Sequence, residues 1–260
     1  GGGNMGWRFF RLISGAPDFV SRTNRADGLR EMRAGSILVT PDHSRPGGRG
    51  ALAAYAYQQI RDQLIYCHYQ GGERLVLRPL AAALGLSPTP VREALLRLVS
   101  EQALELDDRN TACVPVTARE VFLEIHGVRG DLEERITREL ATHVTADEIA
   151  VMRAKHHDFI LAYEAGSPHA AAVANVVFHS TTARFSRRLL TVGLIRGLWA
   201  RMGPVYAATN CLPPTTPADP EHPHLRLIAA FEQRDPEAAV EALREDFMQA
   251  RVWLEPLLPA

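Results

Sequence analysis

"LGLSPTPVREALLRLVSEQALEL", from Leu84 to Leu106, decides the fold of the N-terminal part of the chain. Its turn "SPTP" predicts the start of a helix, because Ser87 or Thr89 can cap a helix N-terminus and either proline suits the first helical turn. Apolar residues then recur at helical spacing before the strand-like end "ALEL". The stretch therefore predicts a helix that leads into a short strand.

The sequence on either side completes a three-helix unit with a hairpin. Upstream, an apolar stripe from Tyr57 to Ile65 predicts a first helix, and "LRPLAAALG" predicts a short second helix that Gly85 ends. Downstream, "ALEL" and "ACVPV" predict two strands separated by the polar turn "DDRNT". Three helices and a hairpin in this order are the layout of a winged helix-turn-helix, which we assign to residues 51–117.

Five polar side chains of this unit are candidates for contacts with DNA. Arg78 begins the second helix and can reach a phosphate, and Ser87 and Thr89 can hold another beside the N–H groups of a helix N-terminus. Arg92 lies opposite the leucine face of its helix and can reach base edges, where arginine commonly reads guanine. Arg109 in "DDRNT" would lie at the wing tip, beside the minor groove. The alternative is a three-helix packing unit whose arginines are only solvated.

The composition of the whole chain limits the other possibilities. Its 260 residues suffice for two modest domains, with 46% apolar residues, 23% charged residues and a formal net charge of -1. Any basic surface for DNA must therefore be local. Three cysteines far apart, with no CxxC pair, predict neither a disulfide framework nor a cysteine zinc site, and they favour a cytoplasmic protein. The apolar runs are too short to span a bilayer, so no membrane partner is expected.

The two flanks of the winged unit differ from it and from each other. Residues 1–50 are rich in Gly and Arg and predict a flexible arm, with an arm that clings to DNA as the alternative. Beyond Thr117, which we expect to cap the next helix, the pattern predicts helices only. We therefore assign an all-helical domain to residues 118–260, in which Thr145–Glu148 forms a capping box and "RDP" at Arg234–Pro236 divides the last two helices. The predicted fold class is mainly α.

Four polar residues of the helical domain have the spacing of a metal site. Asn175 and His179 are four residues apart, so they share a helix face. His224 and Asp246 are 22 residues apart with the "RDP" turn midway, so two antiparallel helices would bring them level. Such a set inside a helical bundle suits a divalent metal, with Zn²⁺ first and Ni²⁺ or Mn²⁺ also possible. The alternatives are hydrogen-bonded core histidines and a surface carboxylate. Weaker candidates, because adjacent side chains diverge or the residue lies in a loop, are His156, His157 and His222.

The segments "GERL", "LAAALGLS" and "TPVREAL" strongly resemble the DNA-binding domain of the GntR family of bacterial transcription regulators, over roughly residues 54–116. The resemblance implies a homodimer that binds operator DNA with two-fold symmetry. The sequence departs from the family pattern at two places. Pro88 stands where relatives often carry Arg, and Asn110-Thr111 replace the usual Gly of the wing tip.

The segments "VRGDLEERITRELA", "ANVVFH" and "HLRLIAAFEQRDPEAAVEALRED" resemble the helical FCD effector domain of the fatty-acid-regulator branch of that family. In metal-binding members the ligands are an Asp and a His four residues apart, a later His, and a last His 22 residues beyond it. These positions correspond here to Asn175, His179, His224 and Asp246. Asn therefore replaces the Asp, and Asp replaces the last His.

The resemblance also implies that the effector is a small organic acid whose carboxylate completes the shell of the metal. Arg129 of "VRGDLE" can pair with a second acid group, or it can form a surface salt bridge with Glu133. We therefore expect a ligand-responsive, DNA-binding transcription regulator rather than an enzyme. Two alternatives stay open, a metal-dependent enzyme in a helical bundle and a DNA-binding dimer that senses no effector.

Overall fold

A computed structural model of the chain describes residues 49–259. Over this range the elements are α1 (Arg49–Ile65), α2 (Leu77–Ala83), α3 (Pro88–Ser100), β1 (Glu105–Leu106), β2 (Ala112–Cys113), α4 (Arg119–His143), α5 (Ala146–Glu164), α6 (Pro168–Arg184), α7 (Leu189–Ala207), α8 (Pro223–Gln233), α9 (Pro236–Leu254) and a 3-10 helix (Glu255–Leu257). The predicted mainly-α class is confirmed. No helix of the described range is long and apolar enough to cross a membrane. The predicted arm, apart from its last two residues, lies outside that range.

The first three helices form the core of the winged unit. α1 packs along α3, and Ile60, Val91 and Leu98 are completely buried between them. α3 begins at Pro88, where the missing N–H of proline costs no helical hydrogen bond. Ser87 is the N-cap residue, but its hydroxyl makes no capping hydrogen bond. The predicted helix start is therefore correct, and the serine hydroxyl is not used to cap it.

The wing is a short antiparallel hairpin of β1 and β2 with a tight turn. Asn110 has a φ of 55°, in the left-handed region that Asn tolerates better than most residues. Asp107 stabilises the turn, because its Oδ1 accepts the backbone N–H groups of Arg109 and Thr111 at 2.9 Å each. The turn therefore closes without a glycine.

Helices α4 to α9 form the second half of the structure. α4 begins at Arg119 with Ala118 at the N-cap, so the prediction that Thr117 caps this helix is wrong. The backbone N–H of Arg119 instead donates to the carbonyl of Pro259 at 3.0 Å, so the C-terminal segment satisfies this end of the helix. The capping box Thr145–Glu148 opens α5 as predicted.

The last two helices form an antiparallel hairpin at the "RDP" turn. Arg234 ends α8 with a left-handed φ of 53°, and the carboxylate of Asp235 accepts two N–H groups of the first turn of α9. This turn places His224 of α8 level with Asp246 of α9, with Nε2 and Oδ1 3.2 Å apart. The spacing of the sequence therefore predicts this approach correctly.

The winged unit rests on the bundle through α1 and α7. A Cβ atom on Gly203 of α7 would lie 1.9 Å from the carbonyl oxygen of Leu64 at the end of α1. About two turns earlier, Arg196 of α7 pairs with Asp62 of α1 at 2.5 Å. The close contact requires glycine because any side chain would overlap the backbone of α1.

We expect Gly203→Ala to lower the free energy of unfolding by about 1–3 kcal/mol, because the methyl group forces α1 and α7 apart. The matched control is Gly127→Ala in α4, where an added Cβ meets nothing within 4 Å. The control should be neutral or slightly stabilising, since Ala favours helix more than Gly does. Urea denaturation of both variants measures the difference, and equal stability would contradict the described junction.

Candidate metal centre and nucleic-acid interface

Three side chains from three helices meet in the interior of the bundle. His179 of α6 places Nε2 at 3.1 Å from Oδ2 of Asp246, and His224 of α8 places Nε2 at 3.2 Å from Oδ1 of the same carboxylate. The two Nε2 atoms are themselves 3.2 Å apart. The structure thus brings together three of the four predicted metal ligands.

Burial and charge determine the protonation of this group. Burial by itself would raise the pKa of Asp246, but the neighbouring His179 and His224 hold it well below its usual range. Burial lowers the pKa of His224 to about 4, although Asp246 opposes this shift. At neutral pH the group therefore contains an ionised carboxylate and a neutral imidazole at position 224, which are the forms that bind metals.

The residues fit a divalent metal ion. The donor atoms of His179, His224 and Asp246 all lie within 4.8 Å of one another. Donors placed tetrahedrally around Zn²⁺ at its usual bond lengths are about 3.3 Å apart, close to the separations of 3.1–3.2 Å found here. Asn175 is buried and lines a small cavity of about 30 Å³ together with Asp246. The side chain of Asn175 therefore lies beside the same cavity as the carboxylate.

Two histidines that are only weaker candidates in the sequence also lie at this centre. His156 of α5 lies with Nδ1 at 3.2 Å from Nδ1 of His224, and His222 caps α8 by accepting the N–H of His224 at 3.2 Å. Burial, the main cause, lowers the pKa of His156 to about 4 and that of His222 to about 3. The helical spacing of Met152, His156 and Phe159, all buried, was the available signal for His156.

Arg129 does not lie at the surface, where a surface salt bridge with Glu133 would place it. Its side chain is 1% exposed and pairs with Glu133 at 2.8 Å, so the expected ion pair exists inside the protein. The guanidinium lies over the ring of Trp199 at 3.9 Å, and the ring centroid of Trp199 is 6.0 Å from that of His179. Nη1 of Arg129 finds no hydrogen-bond partner among the described residues. Trp199 therefore lies next to both the arginine and the metal-binding group.

The predicted DNA-contacting residues all lie on the surface of the winged unit. Exposed positions are Arg78, Ser87, Thr89, Arg92 and Arg109. None of the three arginines forms an ion pair with a described residue. Arg97 differs, because it pairs with Glu101 at 3.0 Å and lies over the ring of Tyr57 at 3.8 Å. On α3, Arg92 is thus available for a ligand, while Arg97 stabilises the domain.

Known proteins share both halves of this architecture. Residues 52–114 match the family of bacterial regulatory proteins named gntR, and residues 124–256 match the FCD domain. The Escherichia coli K12 HTH-type transcriptional regulator McbR is 30% identical over 203 residues, which are 76% of this chain and 90% of that protein. The Nta operon transcriptional regulator of Aminobacter aminovorans is 35% identical over 94 residues, covering 36% of this chain and 43% of its own.

Solved structures agree with this assignment. The structure of E. coli McbR/YncC superposes with a TM-score of 0.70 at 28% identity, covering 79% of this chain and 98% of that chain. A GntR regulator from Rhodococcus sp. RHA1 shares the fold, with a TM-score of 0.61 at 19% identity over 78% of this chain and 96% of its own. The named relatives are transcription regulators, so a DNA-binding regulator is supported over an enzyme. The chain therefore belongs to the GntR family of bacterial transcription regulators, in the branch that carries an FCD domain.

Proposed function

We propose that this regulator senses a small organic acid through a divalent metal, and that the acid changes its affinity for operator DNA. The observation that carries the proposal is the carboxylate of Asp246, which is 13% exposed and faces the imidazoles of His179 and His224. We assign DNA binding to residues 51–117, and effector binding and dimerisation to residues 118–260. The alternative is a DNA-binding dimer without effector sensing, whose operator affinity would not respond to organic acids.

The metal would be held by His179, His224 and Asp246, with the amide oxygen of Asn175 as a weaker ligand from the same cavity. Two nitrogens and one or two oxygens suit Zn²⁺, and Ni²⁺ or Mn²⁺ accept similar ligands. When bound, the metal supplies a Lewis-acidic position for a carboxylate oxygen of the effector. A divalent ion beside one carboxylate leaves net positive charge, which favours an anionic ligand.

Effector binding requires movement of the protein. The cavity beside Asp246 has a volume of about 30 Å³, which is room for little more than a water molecule. The loop segment with Pro213, Pro214 and Thr215 lines this cavity and would have to move aside for an organic acid. Arg129 is the candidate partner of a second acid group, because its buried Nη1 lacks a hydrogen-bond partner in the described range. An acid that binds the protein with this loop moved aside more tightly than with the loop in place shifts the population toward the first arrangement.

DNA recognition is proposed to centre on the start of α3. Ser87 and Thr89 lie exposed at its N-terminus, where backbone N–H groups and the helix dipole favour a phosphate. Arg92 follows one turn later on the exposed face and would read a base edge. Pro88 provides no charge at the position where relatives often carry Arg. Arg92 and Thr89 therefore carry more of the recognition, with Arg78 and Arg109 on flanking phosphates and the minor groove.

A second copy of this chain is proposed to cover one face of α7. Leu189 and Leu190 are 81% and 80% exposed, and Leu194 one turn later is 54% exposed. Gly193 and Gly197, which lie beside Leu194 along the helix, leave open space where side chains would stand, so another helix can approach closely. Exposed apolar surface of this kind is typical of protein interfaces. A two-fold dimer also matches the two-fold operator that the family resemblance implies.

Arg92→Ala should weaken binding to a selected operator by about 1–3 kcal/mol, because a base contact is lost. The matched control is Arg135→Ala, an arginine exposed on α4 of the bundle. Fluorescence anisotropy with DNA enriched by the wild-type protein from a random library measures both variants. Unchanged affinity of Arg92→Ala would refute this orientation of α3.

His179→Ala should lose the bound metal and, with it, any response to organic acids. Elemental analysis of protein purified without chelator measures the metal, and a library of mono- and dicarboxylates at millimolar concentration is screened for changes in operator affinity. The matched control is His157→Ala, an exposed histidine of α5. Metal-free wild-type protein would contradict the metal site, whereas metal without any acid response would favour the dimer that senses no effector.

Leu190→Glu and Leu194→Glu should shift the protein from dimer to monomer, because a carboxylate would be buried at the interface. The control Leu161→Glu changes a leucine of α5 that is 42% exposed on another face. Sedimentation velocity gives the mass of each variant. Dimers of unchanged stability would show that α7 is not the contact between copies.

A further inference from the structure

A line of four polar groups runs from a loop carbonyl to the carboxylate of Asp246. The carbonyl of Pro217 lies 2.9 Å from Nε2 of His156, and Nδ1 of His156 lies 3.2 Å from Nδ1 of His224. Nε2 of His224 then lies 3.2 Å from Oδ1 of Asp246. The line therefore has three gaps, each between two atoms that can both accept a hydrogen bond or bind a cation.

Two neutral imidazole rings carry two protons between them, so they can fill only two of the three gaps. The third gap is left for another cation. The negative charge of Asp246 makes the last gap, between His224 and this carboxylate, the most favourable place for it. The protons then occupy the other two gaps. His156 donates from Nε2 to the carbonyl of Pro217, which can only accept, and His224 donates from Nδ1 to His156.

We propose that His156 is a positioning residue for the metal, because it accepts the Nδ1–H of His224 and thereby directs the Nε2 lone pair of His224 toward the cation shared with His179 and Asp246. This inference rests on the proposed metal site. A metal-bound histidine generally needs such an acceptor for its other nitrogen, which fixes both the tautomer and the orientation of the ring. The packing supports the same role, since the ring of His224 stacks on Phe178 with centroids 3.8 Å apart.

The same proton arrangement disfavours a competing location for the metal. His156, His222 and His224 form a second group of possible ligands, which shares His224 with the first. In this group Nδ1 of His222 is occupied by the backbone N–H of His224 at 3.2 Å. Nε2 of His156 is occupied by the carbonyl of Pro217, and the group contains no carboxylate to balance a divalent charge. The metal therefore lies on the Asp246 side of His224.

The test compares His156→Ala with His156→Gln in the full-length protein. Ala removes the acceptor, and zinc affinity measured by competition with a chelating dye should fall by about 10–100-fold. Gln can accept from His224 with its amide oxygen and donate to Pro217 with its amide nitrogen, so it should retain most of the affinity. The free energy of unfolding of both metal-free variants separates loss of packing from loss of positioning. His157→Ala is the control for an unrelated histidine.

Nitrogen-detected NMR of histidine-labelled, zinc-loaded protein reports which nitrogen of His224 carries the proton. A proton on Nδ1 and rescue of the affinity by Gln support the proposal. Any one of three results would overturn it. The first is a proton on Nε2 of His224, and the second is zinc that His179→Ala retains but His222→Ala loses. The third is an equal loss of zinc affinity in the His156→Ala and His156→Gln variants. Wild-type protein that binds no zinc would overturn the proposed function together with this inference. Equal zinc affinity in wild type and His156→Ala would overturn the inference alone.

Discussion

The pairing of the largely desolvated carboxylate of Asp246 with two histidines is the interaction on which the bundle depends. A charge removed from water is costly unless partners surround it, and here the partners come from two other helices, His179 on α6 and His224 on α8. The turn at Arg234–Asp235 fixes the register of α8 against α9, so that this pairing can form. The cluster of Asp246, His179 and His224, which offers possible metal ligands, therefore also specifies how three helices pack.

Helix α7 joins this centre to the DNA-binding unit. At its middle, Trp199 lies beside His179 and under the guanidinium of Arg129. Further along, Gly203 contacts the backbone at the end of α1, which packs along α3. A movement of α7 caused by a ligand would thus reach the helix that presents Arg92. Such coupling requires that the ligand bind two positions of α7 with different affinity, and the close helix contact at Gly203 favours discrete positions over gradual deformation.

Local signals and fixed spacings account for what the sequence predicts well. The "SPTP" start of α3 and the 22-residue interval from His224 to Asp246 depend on neighbours along the chain, because proline, caps and an antiparallel turn act locally. The contact of His156 with His224 and the burial of Arg129 depend instead on how helices far apart in sequence approach each other, because a local pattern can indicate that a residue is buried but not which partner it meets. Thr117 fails as a cap for the same reason, since residues near the C-terminus satisfy the start of α4.

The two departures from the ligand pattern implied by the family resemblance are best understood together. Asn175 replaces a carboxylate on α6, and Asp246 supplies one on α9, so the group keeps a single negative charge while losing one imidazole. The relocated carboxylate faces both remaining histidines, at 3.1 and 3.2 Å. With a divalent ion the centre would still carry a net positive charge, as the binding of an organic anion requires. The exchange would therefore preserve the charge that the proposed acid sensing requires, and the orientation of the two histidines would matter more because fewer strong ligands remain.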